Sequence, residues 1–371
     1  MSDFDQLAAP GVRKLNPYQP GLPIEELERK YGVRNAVKLA SNENPLGPSP
    51  QAVAAMRSAV EQVWLYPDGN GFALKQKLAE RLGVPMEALT LGNGSSDVLE
   101  FALRAFVTPD HEVLFSEHSF AIYPILTLGV GAKPVEAPAK DWGHDLEAMH
   151  AAVTERTRLV YIANPNNPTG TWLGGEALEA FVKSLPSDVI VVLDEAYYEY
   201  ASHPGMDAEG YPDTVSWIER YPNLVVTRTF SKCYGLAGMR VGYAVSDPAV
   251  ADLMNRVRPP FNVNLLALEA AAAALDDEEH LARSLEMNRE GMAQLTAAFA
   301  ALGLRYIPSV GNFVSVDVGR PAGEVYEGLL HEGVIVRPVA NYGMPNHLRV
   351  TVGRPDENER FIAALKKVLG L

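Results

Sequence analysis

The 371-residue chain has a single cysteine, Cys233, which excludes an internal disulfide framework and any cysteine-rich zinc or iron–sulfur centre. Basic residues are in deficit: Lys+Arg number 32 against 46 Asp+Glu, a formal net charge of −14. That balance argues against general binding to nucleic acid or to an anionic membrane, since both need a basic surface. Any arginine that serves an anionic ligand must therefore be placed locally, inside a pocket. No run of about 18 apolar residues occurs, so no transmembrane helix is expected. Met1 to Pro10 lacks the basic start and apolar run of a secretory signal, which makes the cytoplasm the expected location. The eight histidines are scattered, none in a His-Glu-x-x-His pattern, so no metal site is expected. His111 and His118 read as surface or turn residues. Repeats and low-complexity tracts are also missing. What remains is an ordinary globular composition, 47% hydrophobic and 21% charged, with length for two or three domains.

The first 45 or so residues are rich in Pro, Gly and Asn (Asn16-Pro17-Tyr18, Asn42-Glu43-Asn44-Pro45), which break regular structure. They read as an extended arm with one short helix near Ile24–Tyr31. Short β-branched runs follow at Leu89–Gly92, Glu112–Phe115, Leu159–Ala163, Val189–Asp194, Leu224–Thr227 and Val241–Val245. Helical patterns such as Phe72–Leu82, Asp97–Phe106 and Glu176–Leu185 lie between them. This alternation indicates a mostly parallel sheet covered on both faces. After Pro259-Pro260, long helical patterns run from Leu265 to Leu302, the Ala270–Ala274 stretch reading as a tightly packed helix. Strands Asn312–Val318, Val334–Pro338 and Leu348–Val352 and a terminal helix complete the chain. The expected division is an arm over 1–45, a large unit over 46–255 and a smaller α+β unit over 256–371. The acidic run Asp276-Asp277-Glu278-Glu279 reads as a solvated helix start.

Ligands of open α/β sheets sit beyond the carboxyl ends of the strands, so the residues after each strand matter most. Leu89–Gly92 runs into Asn93-Gly94-Ser95-Ser96-Asp97 and a helix, a composition that makes an anion cradle of backbone N–H groups. The plainer reading makes Ser95 or Ser96 a helix N-cap. Leu159–Ala163 leads into Asn164-Pro165-Asn166-Asn167-Pro168-Thr169-Gly170, either a simple turn or a rigid mount for an amide donor. Val189–Leu193 ends in Asp194-Glu195-Ala196-Tyr197. A carboxylate closing a buried strand needs a cationic partner, unless Asp194 merely caps the next helix. Leu224–Thr227 is followed by the loop Thr229–Arg240, where Lys232 sits among Phe230, Cys233, Tyr234, Leu236 and Met239. A desolvated lysine has a lowered pKa and is nucleophilic toward aldehydes, and these apolar neighbours argue against an exposed loop lysine. Cys233 itself reads as a small packing residue.

An amine nucleophile, an acid that needs a cation, an amide donor and an anion cradle with added Ser and Arg thus fall together at strand ends. One ligand uses them all: pyridoxal 5′-phosphate. Its aldehyde meets the lysine, its ring nitrogen the acid, its phenolate the donors and its phosphate the cradle.

The sequence resembles the aspartate-aminotransferase superfamily, fold type I, and within it the family of histidinol-phosphate aminotransferases. The resemblance rests on Leu15-Asn16-Pro17-Tyr18, Asn42-Glu43-Asn44-Pro45, Tyr66-Pro67-Asp68, Pro165–Gly170, Asp194–Tyr197, Ser231–Arg240 and Leu348–Gly353, in that order over nearly the whole chain. It implies an α/β PLP-dependent transferase fold of type I, with a mostly parallel seven-stranded sheet in the large unit. It implies that Lys232 holds the cofactor covalently and then acts as the base, and that Asp194 pairs with the ring nitrogen. Asn167 and Tyr197 would bind the phenolate oxygen. Gly94, Ser95, Ser96, Ser231 and Arg240 would hold the phosphate, and Phe120 would stack on the ring where relatives commonly carry Tyr. Tyr66 resembles the residue that crosses a homodimer interface to the neighbouring phosphate, although a Tyr-Pro turn can also pack on its own subunit. Arg349 would take the carboxylate of glutamate or the phosphate of L-histidinol phosphate, Arg337 the phosphate, and Tyr18 and Asn16 would close over the imidazole. The implied reaction interconverts L-histidinol phosphate and 2-oxoglutarate with imidazole acetol phosphate and L-glutamate. Three other readings stay open: an aromatic- or arogenate-type aminotransferase, a threonine-phosphate decarboxylase, and a non-catalytic binder on the same scaffold.

Overall fold

The computed structural model describes residues 4–17 and 21–371. Its centre is a seven-stranded sheet in the order Leu89–Gly92, Gly242–Ser246, Leu224–Thr229, Ile190–Asp194, Thr157–Ala163, Glu112–Ser116 and Lys133–Ala137. Gly242–Ser246 alone runs antiparallel to its neighbours; the other strands of the sheet run parallel where they pair with one another. Helices cover both faces, which is why the inner strands read as near-continuous apolar runs: Ile190–Leu193 and Leu224–Val226 are buried throughout. The two faces carry separate cores. One gathers Leu178, Val191, Leu193, Phe230 and the Ala-rich helix Leu265–Ala274. The other gathers Leu99, Val113, Tyr123, Tyr161 and Val192.

A second sheet of four strands is built from Arg305–Ile307, Phe313–Asp317, His347–Thr351 and Arg337–Pro338, all antiparallel. Helices Glu278–Ala301, Ala322–His331 and Pro355–Leu369 enclose its core of Phe299, Val314, Val350 and Phe361. The arm is tied to this part through Val37–Lys38, which pairs in parallel with Val334–Ile335.

Several expected elements need correction. The run Val334–Pro338 is two strands: Val334–Ile335 pairs with the arm, whereas Arg337–Pro338 joins the four-stranded sheet. The helical patterns after Leu265 form two helices as expected, one ending at Ala274 and the next starting at Glu278 with Asp277 as its side-chain N-cap. The acidic run is therefore the helix start that it was read as. Lys133–Ala137 went unread because it is an edge strand, half-exposed and carrying Pro134, and so lacks the buried apolar signature. Arg305–Ile307 is a three-residue strand with the same weakness. No helix among the described residues is long and apolar enough to cross a membrane.

Candidate active site

Neighbouring strand ends converge on one cleft. In the sheet register Ala163 lies opposite Asp194 and Asp194 opposite Thr227, so the loops leaving these strands open at a common edge. The cleft is lined by Ser95, Ser96, Phe120, Asn167, Asp194, Tyr197, Ser231, Lys232 and Arg240 from the large-sheet side. Arg337 and Arg349 reach it from the four-stranded sheet, and Gly21 and Ala40–Asn42 from the arm. The structure thus brings together most of the residues that the sequence singled out.

Asp194 ends its strand pointing into the cleft, while Glu195, on the opposite face, pairs with the buried Arg228 at 2.9 Å. Asp194 is buried and accepts from Tyr123 Oη at 2.9 Å and Thr227 Oγ1 at 3.4 Å. It does not cap the short helix Tyr198–Ala201, whose N-cap is Tyr197. Desolvation pushes its carboxyl up to about 6 despite those hydrogen bonds. The acid thus lacks the compensation that a cation would bring. Lys232 Nζ donates to the Ser41 carbonyl at 3.1 Å and lies 5.8 Å from the Tyr197 ring. Desolvation first, and then the nearby Arg349 charge, lower its pKa to about 8. Its amine is therefore neutral in a substantial fraction of molecules near neutrality.

The anion cradle is built from three elements. Gly94 is the N-cap of helix Ser95–Phe106, at φ +87°, with no side-chain capping bond. The cap reading of Ser95 and Ser96 is accordingly set aside: both lie in the first helical turn. Arg240, itself left-handed at φ +59°, donates to Ser231 Oγ at 3.1 Å. A Cβ on Gly94 would lie 2.3 Å from Arg240 Nη2, so a larger residue there would push the guanidinium away from the helix end. Gly242 has the same role one strand over, where a Cβ would lie 2.5 Å from the Ser95 nitrogen.

At the other end of the cleft, Arg349 is buried over the Phe313 ring. It donates to Asn167 Oδ1 and to the Ala40 carbonyl, each at 2.6 Å. Asn167 keeps its NH2 group to donate. Phe120 meets Tyr123 edge-on at 6.0 Å. Tyr66 lies outside the cleft of its own chain: it is 82% exposed and stacks on Phe261 at 4.6 Å. Asn16 lines an adjoining depression that shares Gly21 and Arg337 with the cleft. Tyr18 lies outside the described residues. His118 is a turn residue as expected, with Nδ1 2.6 Å from the Tyr342 carbonyl, and His111 closes a turn on Thr108. Cys233 is fully buried against Tyr197, Tyr200 and Phe313, in keeping with a packing role. Among the described residues no group of His, Cys, Asp or Glu is placed to hold a metal ion.

Sequence reasoning passed over three contributors. Tyr123 looked like an ordinary core aromatic, and Thr227 like an ordinary strand residue. Asn42 looked like part of a turn, although its Nδ2 donates to the Tyr197 hydroxyl at 2.8 Å. A repeated Asn in Asn42-Glu43-Asn44-Pro45 was the available signal, and local sequence gave it no partner.

These residues fit pyridoxal 5′-phosphate. A buried acid short of a cation, a desolvated amine, and an anion cradle that a single Cβ would fill face one cleft. The comparisons agree. The profile of the family described as aminotransferase class I and II matches residues 34–365. Histidinol-phosphate aminotransferase 1 of Nitrosococcus oceani is 64% identical over 366 residues, 99% of this chain and 98% of that protein. The crystal structure of histidinol-phosphate aminotransferase from Sinorhizobium meliloti, in complex with pyridoxal-5′-phosphate, superposes with a TM-score of 0.88. It is 32% identical, with 98% of this chain and 97% of that one covered. A single mutant of Thermus thermophilus aspartate aminotransferase, 22% identical over 97% of this chain and 99% of that one, has a TM-score of 0.84 and shares the fold.

Proposed function

The chain belongs to the class I and II aminotransferases, and within them we propose that it transfers an amino group between L-histidinol phosphate and 2-oxoglutarate in histidine biosynthesis. One observation carries this reading. A desolvated lysine and a desolvated acid face each other between two anion-binding ends, Gly94/Ser231/Arg240 at one and Arg337/Arg349 at the other. The first end suits a cofactor phosphate, and the second a substrate phosphate or carboxylate.

Bound pyridoxal 5′-phosphate supplies an aldehyde that accepts the amino group and a ring that withdraws electrons from the reacting carbon. The protein supplies the rest. Lys232 Nζ, whose lowered pKa of about 8 makes the neutral amine accessible, would be the nucleophile and would take and return the substrate Cα proton. Asp194, ionised beside a cation, holds the proton on the ring nitrogen; Tyr123 and Thr227 fix its two oxygens. Asn167 and Tyr197 donate to the ring oxygen, and Phe120 covers a ring face. Arg349 presents a planar guanidinium suited to carboxylate in one half-reaction and phosphate in the other. Arg337 would add charge for the phosphate, and Asn16 on the arm would lie over the imidazole.

We read residues 1–45 as the arm, 46–255 as the large unit and 256–371 as the small one. The working molecule is a symmetric homodimer in the cytoplasm. The exposed strip Val63–Tyr66, with Trp64 79% exposed, supports association, because a water-soluble monomer rarely displays such a run. Tyr66 would then reach the neighbouring cradle.

Steady-state kinetics with three amines test the substrate. Turnover of L-histidinol phosphate with 2-oxoglutarate should exceed that of L-phenylalanine by about a hundredfold or more in kcat/KM, the scale set by losing a charge-paired anion. Equal rates would assign the chain to aromatic amino acids, and carbon dioxide released from L-threonine phosphate would make it a decarboxylase.

A further inference from the structure

Four consecutive arm residues tie the small sheet and three cleft side chains, Arg349, Lys232 and Tyr197, together. The Leu39 carbonyl accepts from the Thr351 backbone N–H at 2.9 Å, and the Ala40 carbonyl from Arg349 at 2.6 Å. The Ser41 carbonyl accepts from Lys232 at 3.1 Å, and the Asn42 side chain reaches Tyr197 at 2.8 Å. Asn42 is 1% exposed and left-handed at φ +55°, a conformation that asparagine tolerates better than most residues. Asn312 anchors its carbonyl at 3.0 Å.

The hydrogen-bond network fixes which way the Asn42 amide points. The Asn42 backbone N–H donates to Thr351 Oγ1 at 2.9 Å, and the Thr351 hydroxyl gives its own hydrogen to Asn42 Oδ1 at 3.1 Å. That leaves the amide NH2 facing Tyr197, whose oxygen must accept. A phenol whose oxygen accepts from behind has its O–H left for the cleft that it lines.

We propose that Asn42 is a positioning residue: it makes Tyr197 a one-way hydrogen-bond donor into the active-site cleft, and through Thr351 it ties that donor to the strand carrying Arg349. The inference rests on the aminotransferase reading above. It explains why a buried, left-handed asparagine stands where the arm meets both sheets, and it couples substrate grip at Arg349 to the polarity of the Tyr197 contact.

The test uses the cofactor-loaded protein. Asn42→Gly keeps the left-handed backbone without strain and removes the amide, both its donor to Tyr197 and its acceptor for Thr351. Its kcat for L-histidinol phosphate should fall about tenfold with KM within about twofold, the change one ordinary hydrogen bond supports. The pH midpoint of the visible cofactor band should move upward, as it should more strongly in Tyr197→Phe, because losing a donor disfavours an anionic oxygen. In the Tyr197→Phe background, Asn42→Gly should change neither quantity further. Thr351→Val, which frees the amide to rotate, should move both in the same direction by less. A wild-type midpoint and kcat in Asn42→Gly would overturn the proposal, as would effects that multiply in the double variant. If the wild-type protein shows no visible cofactor band and no turnover, the aminotransferase reading itself fails, an outcome distinct from either.

Discussion

Asp194 and Lys232 carry opposite pKa shifts for one reason: each is a charge removed from water in a cleft that offers it little in return. Folded Asp194 keeps its proton up to about pH 6, whereas the ordinary carboxyl value is 3.8. The native state therefore binds this proton more tightly, and its contribution to stability is lost as pH rises through about 6. Asp194→Asn should stabilise the cofactor-free protein near pH 8, by on the order of 2–3 kcal/mol, and make little difference near pH 4. Thermal denaturation at the two pH values, against wild type, reads this out. The same variant should hold the cofactor more weakly. For Lys232 the neutral amine is the reactive form, so capture of added pyridoxal 5′-phosphate should quicken as pH rises toward about 8 and level off above it. Stopped-flow absorbance of the cofactor-free protein measures it. Both residues were legible in the sequence because their neighbours announce desolvation: four apolar residues before Asp194, and aromatics around Lys232. Asn42 and Tyr123 were not, because their partners lie 155 and 71 residues away in the chain.

Among elements, strands buried on both faces could be read, even at a sheet edge, and half-exposed strands could not. Leu89–Gly92 and the strand ending in Asp194 are buried on both faces and show continuous apolar runs. Lys133–Ala137 and Arg305–Ile307 are half-exposed, so neither shows a continuous apolar run. The division of Val334–Pro338 between two sheets was hidden for another reason: its first half pairs with the arm, a contact that no local pattern encodes. The glycine turn from Leu89–Gly92 into helix Ser95–Phe106 was legible as a strand-to-helix junction, and its reading as a phosphate cradle is a proposal. Gly94→Ala tests it. The added Cβ meets Arg240 at 2.3 Å and the backbone is left-handed, so cofactor affinity should drop at least tenfold in equilibrium dialysis while the far-ultraviolet circular dichroism is unchanged.

For the molecule as a whole, the site is a junction of the large sheet, the small sheet and the arm. Two observations motivate the proposed association: Tyr66 is turned out to solvent on Phe261, and the apolar strip before it is exposed. If Tyr66 completes the neighbouring site, mixing Lys232→Ala with Tyr66→Ala subunits should create one intact site per mixed dimer. Activity should then recover toward about a quarter of wild type from two nearly inactive parents. No recovery after subunit exchange would confine Tyr66 to its own protomer.

Transfer of an amino group from L-histidinol phosphate to 2-oxoglutarate, with Lys232 as the base opposed by Asp194, is read directly by one single-turnover experiment. Added alone to the cofactor-loaded protein, L-histidinol phosphate should abolish the visible band with one equivalent per protomer. Later addition of 2-oxoglutarate should restore the band and release one equivalent of glutamate. Lys232→Ala should do neither at a comparable rate. A band indifferent to L-histidinol phosphate, or a Lys232→Ala protein that cycles as fast as wild type, would contradict the account.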